Sequence, residues 1–522
     1  MPGLLQRFNR PVVAILAVTA IAAGVRFWHL SRPPDLVFDE LYYAKAACIL
    51  DGGSDKVCMI DSSDEKYWRE NKWDVGSWVH PPLGKWMIAL GEKAFGMDPF
   101  GWRVSSAVIG TIIVTLVAIM AQLLFASALW TFVAGLLLAI EHLNVVQSRV
   151  ALLDIHLEFW VVVGFVCLLL DRRWIDARTP PEPEPEPAVA PQAVVPEAAV
   201  PPPIAGGAID TPSPTDVVPM RAVTRVPYPV WRPWRFASGV ALGAAFSVKW
   251  SGGMAILGAL ILSYAWETTR RHRGGRSRGA AFGRAILQES FGLMLAFVIV
   301  PVGVYFLVYV PWFHHFGWSF KAWWENQSAM WQYHKNLKAT ALDPATHQYT
   351  PTHPYYSRAW TWLFMLRPVN YFSRDLGPRI SQILAIGNPA IFWASLWAIP
   401  FVALMWYRRG DWRAGFIVTA ALAQYLPWFL VTRPQFFFYV LPITPFMVLA
   451  ITYVLRDLSA TTIVLREPNG TRVESTRHPY LPFVWGYVLV AVGLFVWFWP
   501  VLTAHPITDA MWRARVWFRG WI

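Results

Sequence analysis

A chain of 522 residues that is 55% hydrophobic and 16% aromatic but only 15% charged is not a water-soluble domain, which carries roughly 25% charged residues. The formal charge of +12 would suit nucleic acid, but the arginines cluster in loops between apolar runs, as the positive-inside rule produces in membrane proteins. Those runs recur from end to end near the ~20 residues that a bilayer-spanning helix needs, and they predict an all-α polytopic membrane protein that does not bind nucleic acid.

Residues 11–29 form the first predicted span. Its apolar run continues through Phe27-Trp28, which favours an uncleaved span over a signal segment cut near Ala20-Ile21-Ala22; Arg7 and Arg10 hold the N-terminus in the cytoplasm. Residues 30–100 form a long charged outside loop with Phe38-Asp39-Glu40 near its start. Near its end stands His80-Pro81-Pro82-Leu83-Gly84-Lys85, leading into an amphipathic segment that lies along the membrane surface. Cys48 and Cys58 share this loop and can pair in an oxidising compartment; the sequence leaves that pairing open, and Cys167 falls within a span.

Spans follow within 102–170, and Arg172-Arg173 returns the chain to the cytoplasm. Residues 171–234 contain a run of alternating Pro and Glu that cannot bury a core, and they read as a disordered cytoplasmic linker. Within 235–310 the apolar run from Phe236 to Trp266 is too long for one span. A hairpin turning near Lys249-Trp250-Ser251-Gly252-Gly253 keeps the arginines of 267–284 inside. A second long outside loop, 311–384, is rich in Trp, His and Tyr; residues 386–503 carry the remaining spans and 504–522 a tail. The expectation is about eleven spans, with the N-terminus cytoplasmic and the C-terminus extracytoplasmic.

Two adjacent carboxylates where the chain leaves the lipid read as a functional pair or as a solvated helix N-terminus. The topology weighs between these readings. Arg26, Arg103, Glu141, His142, Arg149, Asp154, Lys249 and Arg433 all fall at outside ends of spans, whereas cytoplasmic charge is expected in watery loops. Mixed charge gathered on one side at membrane depth points to a site. Cations such as Arg26, Arg103, Lys249 and Arg433 suit the phosphate of an anionic lipid, and a carboxylate beside them suits removal of a proton from an incoming hydroxyl. The chain has no P-loop, zinc-protease or dinucleotide fingerprint, so a lipid phosphate is a better donor than a cytoplasmic nucleotide.

The order Arg26, Phe38-Asp39-Glu40, His80-Pro81-Pro82-Leu83-Gly84-Lys85, Gly101-Trp102-Arg103 and Gln147-Ser148-Arg149-Val150-Ala151-Leu152-Leu153-Asp154 resembles the protein O-mannosyltransferases. Ser247-Val248-Lys249-Trp250-Ser251-Gly252 and Tyr439-Val440-Leu441-Pro442-Ile443-Thr444-Pro445 extend the likeness, which is strongest to actinobacterial members. The resemblance implies a GT-C type glycosyltransferase of the plasma membrane. Such an enzyme moves mannose, with inversion, from polyprenyl phosphate mannose to Ser or Thr of secreted or membrane proteins leaving the Sec translocon. It implies Asp39 and Glu40 as the catalytic pair, with Asp39 the general base. Arg26, Arg103, Arg149, Lys249 and Arg433 are then expected at the donor phosphate, with His80, Lys85, Glu141 and Asp154 in support. No metal ligand set is expected; a divalent cation is permitted rather than indicated. Eukaryotic members carry a β-trefoil domain in the loop matching 311–384, which is too short for one here. The rival readings are a GT-C enzyme with a lipid or cell-wall glycan acceptor, and a transporter of lipid-linked sugar, which would instead place charge at the midplane of two pseudo-symmetric halves.

Overall fold

The computed structural model describes residues 10–60, 79–178, 230–342, 349–462, 464–466, 472–474 and 478–522. Most of the proline-rich stretch expected to be a disordered linker, and Arg7, lie outside the described residues. In chain order the helices are α1 (Arg10–Phe27), α2 (Glu40–Leu50), α3 (Leu83–Phe95), α4 (Pro99–Phe125), α5 (Ala128–Ala139), α6 (His142–Gln147), α7 (Leu153–Asp176), α8 (Pro233–Val248) and α9 (Gly253–Arg273). They continue with α10 (Arg278–Val308), which contains a π-helical turn at Leu295–Ile299. After it come α11 (Val310–Phe316), α12 (Phe320–Asn336), α13 (Pro389–Arg409), α14 (Trp412–Tyr425), α15 (Thr444–Ala460), α16 (Leu481–Leu502) and α17 (Asp509–Arg513). Among the described residues six segments are long and apolar enough to cross a membrane: α4, α7, α10, α13, Phe437–Ala460 and α16. The chain is a multi-pass membrane protein.

Local chemistry sets the helix ends. Asp98 accepts hydrogen bonds from the N–H groups of Phe100 (2.9 Å) and Gly101 (2.8 Å) and starts α4. Asn388 caps α13, which stops at left-handed Gly410 (φ 62°). The α8–α9 connection is one 3-10 turn, Trp250–Gly252. A Cβ on Gly252 would stand 2.5 Å from the carbonyl carbon of Ala245, so only glycine lets the turn fold this tightly against α8.

The structure corrects the all-α expectation in detail. Three antiparallel strands, Val369–Asp375, Arg379–Ala385 and Ile507–Thr508, form a small sheet. Val369 pairs with Ala385, and Arg379 with Thr508. The tail therefore folds back onto the second long loop, where Trp521 Nε1 donates to the Met365 carbonyl at 2.7 Å. Backbone groups of a packed loop need partners, and helix-centred hydropathy does not register such a sheet. Thr340–Leu342 and Tyr349–Pro351 pair as a separate hairpin. Cys48 and Cys58 are disulfide-bonded, closing the end of α2.

The expectation that charge away from the site end lies in watery loops is also corrected. Asp171, Arg232, Arg235, Glu267, Arg271 and Glu289 are buried together. Arg232 binds Asp171 (2.9 Å) and Glu267 (2.6 Å), and Arg271 joins Glu267 (2.6 Å) to Glu289 (2.7 Å). Each carboxylate is matched by guanidinium donors, which offsets the cost of taking the ions out of water. The network ties α7, α8, α9 and α10 at the end opposite the loop carrying Asp39. Removing one partner strands the others. Glu267→Ala is expected to destabilise the detergent-solubilised protein by about 3–5 kcal/mol. Arg409→Ala, which opens the exposed pair with Asp457, is expected to change thermal unfolding by less than about 1 kcal/mol.

Candidate active site

The segment between α1 and α2 is held by one buried side chain. Arg103 of α4 donates from Nε to Glu40 Oε1 (2.8 Å) and from Nη2 to Glu40 Oε2 (2.7 Å). It also reaches the carbonyls of Pro33 (2.7 Å) and Asp35 (2.8 Å). Glu40 further accepts the N–H groups of Val37 (2.9 Å) and Ala151 (2.8 Å). Each of its oxygens accepts two donors and the residue is completely buried, an arrangement that suits a clamp.

Asp39 differs from its neighbour. It occupies the N-cap of α2 without a side-chain capping bond, and it lines a cavity of about 980 Å³. The backbone just before it is turned by Phe38 at φ 49°, a left-handed conformation that costs on the order of 1–3 kcal/mol for such a residue. Phe38 is held there by stacking on Tyr371 (centroids 4.4 Å apart) and by edge contact with Phe438. Burial pushes the Asp39 carboxyl up to about 7; Lys249 pulls against that rise and Asp154 adds to it.

A second cavity of about 460 Å³ lies alongside. Asp154 and Lys249 line its polar part, and Leu157, Val161, Met254 and Ile443 its apolar part. His80, His334, Arg433 and Tyr439 line both cavities and mark where they meet. The Tyr439 ring is near two cations, with Lys249 Nζ 5.5 Å and Arg433 Cζ 5.6 Å from its centroid, and it stacks on Trp428 at 4.9 Å. Lys249 Nζ donates to Asp154 Oδ2 at 2.8 Å, whereas Arg433 has no carboxylate partner among the described residues. The His80 and His334 rings stack at 5.2 Å. Burial holds the His80 imidazole well below its ordinary value and His334 near 4, with nearby Lys249 and Arg433 adding to both; both rings are neutral at pH 7. Lys85 Nζ donates to the His80 carbonyl (3.0 Å) and holds the His-Pro-Pro corner.

Of the residues expected at a site, the structure brings Asp39, His80, Lys85, Asp154, Lys249 and Arg433 to the two cavities. Arg26, Arg103, Arg149 and Glu141 line neither cavity, and their side chains are bound by protein groups. Arg26 is buried and donates to Ser148, Asn144 and the carbonyls of Ala22 and Ala139. Arg149 donates to the carbonyls of Val25, Arg26, Trp28 and His29. A phosphate would have to displace these bonds in a protein interior. Glu141 caps α6 and also accepts the N–H of Asn388 (3.1 Å). Tyr439 and His334 were not singled out from sequence; Tyr439 stands inside the Tyr-Val-Leu-Pro stretch, whereas His334 is one of many aromatic residues on α12 and carries no local signal. Among the described residues no group of three or more His, Cys, Asp or Glu converges as a metal site.

A cation-lined pocket with an apolar floor accepts a phosphate on a hydrocarbon tail. The adjoining pocket, with one raised carboxyl and aromatic walls, accepts a hydroxyl-bearing chain. Residues 74–174 match the family described as dolichyl-phosphate-mannose-protein mannosyltransferase, and 319–521 match the C-terminal four TMM region of protein-O-mannosyltransferase. A polyprenol-phosphate-mannose–protein mannosyltransferase of Mycolicibacterium smegmatis is 30% identical over 97% of this chain and 92% of its own length. Its counterpart in Mycobacterium tuberculosis is 29% identical over 99% and 93%. A protein O-mannosyltransferase complex of S. cerevisiae bound to its sugar donor has the same fold, with a TM-score of 0.69 at 13% identity over 98% of this chain and 93% of that one. The chain belongs to the protein O-mannosyltransferase family.

Proposed function

We propose that this chain transfers mannose, with inversion, from polyprenyl phosphate mannose to Ser or Thr hydroxyls of proteins crossing the plasma membrane. The observation that carries this reading is the meeting of two cavities at Arg433 and Tyr439, with Asp39 in one and the Lys249–Asp154 pair in the other. In this proposal about eleven spans place the site on the extracytoplasmic face, with the N-terminus cytoplasmic and the C-terminus outside, where acceptors leave the Sec translocon.

The mannosyl phosphate lies in the smaller cavity, its phosphate on Arg433 and, more weakly, on Lys249, whose charge Asp154 already offsets. The acceptor hydroxyl enters beside Asp39. Asp39 takes its proton as the oxygen attacks the anomeric carbon, and the carbon–oxygen bond to phosphate breaks on the opposite face. The phosphate departs with the bonding electrons, and its growing charge is met by the two cations. A carboxyl near pH 7 suits this work, since it is basic enough to accept a proton yet largely ionised above neutrality. Arg103 and Glu40 take no proton; they hold Asp39 in place.

The direct test gives membranes labelled polyprenyl phosphate mannose and a Ser/Thr-bearing peptide. Label in the peptide supports the reading, and label in a lipid or glycan moves the acceptor to that class. Asp39→Asn is expected to lower transfer at least about 100-fold with donor affinity intact; full activity removes Asp39 as base. Arg433→Ala removes a charge-assisted contact of about 1.5–3 kcal/mol, so donor binding should weaken about 10- to 100-fold; an unchanged donor Kd ends its phosphate role. Because the folded Asp39 titrates near 7, kcat/KM should rise with pH to about that value and then level, and a profile flat from pH 5 to 8 contradicts a base there. Arg103→Lys keeps the charge but loses the fork that holds Glu40 and two carbonyls, and a displaced Asp39 should cost about 100-fold in kcat. Activity lost to a chelator and restored by Mg²⁺ would hand the phosphate to a metal ion.

A further inference from the structure

Helix α12 presents three distinct faces. Trp323, Asn326, Gln327 and Met330 are buried, the first within an aromatic cluster with Tyr305 of α10 and Tyr309 just after it. Lys321, Glu325, Gln332 and Asn336 form an exposed polar stripe. Between them run Phe320, Trp324 and Trp331, exposed by 62%, 59% and 56%. At 3.6 residues per turn these three fall within about 40° of one another, so the aromatic stripe is narrow and continuous. Exposed tryptophans aligned on a helix beside a polar stripe are out of place in water, but they match the bilayer interface, where indole is half apolar and half wet.

The stripe also adjoins a candidate span. α10 is long and apolar enough to span a membrane; toward its end it exposes Ile299, Val302 and Leu307, and the ring of its Phe306 lies 6.5 Å from that of Phe320. From these observations we infer that α12 lies flat in the outer headgroup layer of the bilayer, with Phe320, Trp324 and Trp331 embedded among phospholipid chains. The inference rests on the outward orientation of this end in the proposed function. It also gives the helix a role. Trp331, His334 and Lys335 line the smaller cavity and Tyr333 and His334 the larger, so the bilayer itself positions one wall of the donor pocket.

The test uses the full chain in vesicles of phosphatidylethanolamine and phosphatidylglycerol, with benzoylphenylalanine placed singly at Trp324, Trp331, Glu325 or Gln332. After illumination, phospholipid adducts are expected at positions 324 and 331 several-fold above those at 325 and 332. Equal adducts at all four positions, or none at 324 and 331, overturns the inference. Trp324 lines neither cavity, so Trp324→Ser in the same vesicles should raise the donor KM several-fold, leave the acceptor KM unchanged, and be rescued by Trp324→Phe. A donor KM indifferent to Trp324→Ser removes the coupling between membrane and pocket. Labelling needs no turnover, so a chain that labels as expected but transfers no mannose keeps the interfacial helix and sinks the proposed activity instead.

Discussion

The pairing of Arg103 with Glu40 is the constraint on which the site depends. A guanidinium and a carboxylate, both fully buried, form a two-pronged contact while the remaining donors of Arg103 hold the carbonyls of Pro33 and Asp35. Ion pairs of this kind add little net stability, because desolvation consumes most of the attraction. What this one supplies is position. The chain between α1 and α2 has no regular structure until Glu40, and a loop with unpaired backbone groups would not hold a single shape. Arg103 satisfies those groups from a rigid helix, and Ala151 ties Glu40 to the start of α7. Asp39, one residue away, is thereby aimed into the cavity in spite of the strained backbone at Phe38.

The same division of labour runs through the charged residues. Those whose hydrogen bonds run to neighbouring protein groups, such as Arg26, Arg149 and Glu141, build the scaffold. Those with valence left over line the cavities: Arg433 lacks a carboxylate partner among the described residues, and Asp39 makes no cap bond. Lys249 stands between the two classes, bound to Asp154 yet facing the pocket. The Tyr439 ring stands within 6 Å of both cations, and only Lys249 of the two has a carboxylate, Asp154, beside it. Such an arrangement favours an anion arriving from outside the protein, and mannosyl phosphate on a prenyl chain is the anion that this family uses.

The opposite end of the bundle holds a network of similar density with a different character. Asp171, Glu267 and Glu289 are interleaved with Arg232, Arg235 and Arg271, so that the charges cancel locally. Buried charge is therefore not by itself a mark of catalysis in this protein. Neutralised clusters join helices, and incompletely neutralised ones stand next to the cavities.

Much was legible in the residue order alone. Apolar runs and Arg-rich loops identify a multi-pass membrane protein because hydropathy and charge are properties of each residue wherever it lies. The interruption at Ser251-Gly252-Gly253 coincides with the turn between α8 and α9, since tight turns need residues without side chains. The motifs around Asp39, His80 and Lys249, and the charge at Arg433 near a span end, pointed to residues that do line the cavities. What only tertiary structure decided was pairing. Arg103 and Glu40 are 63 positions apart, and Lys249 and Asp154 are 95 apart; no local pattern tells which cation meets which carboxylate. For the same reason the sequence could not separate Arg26 from Arg433, since whether a charge is spent or available depends on neighbours brought from distant parts of the chain.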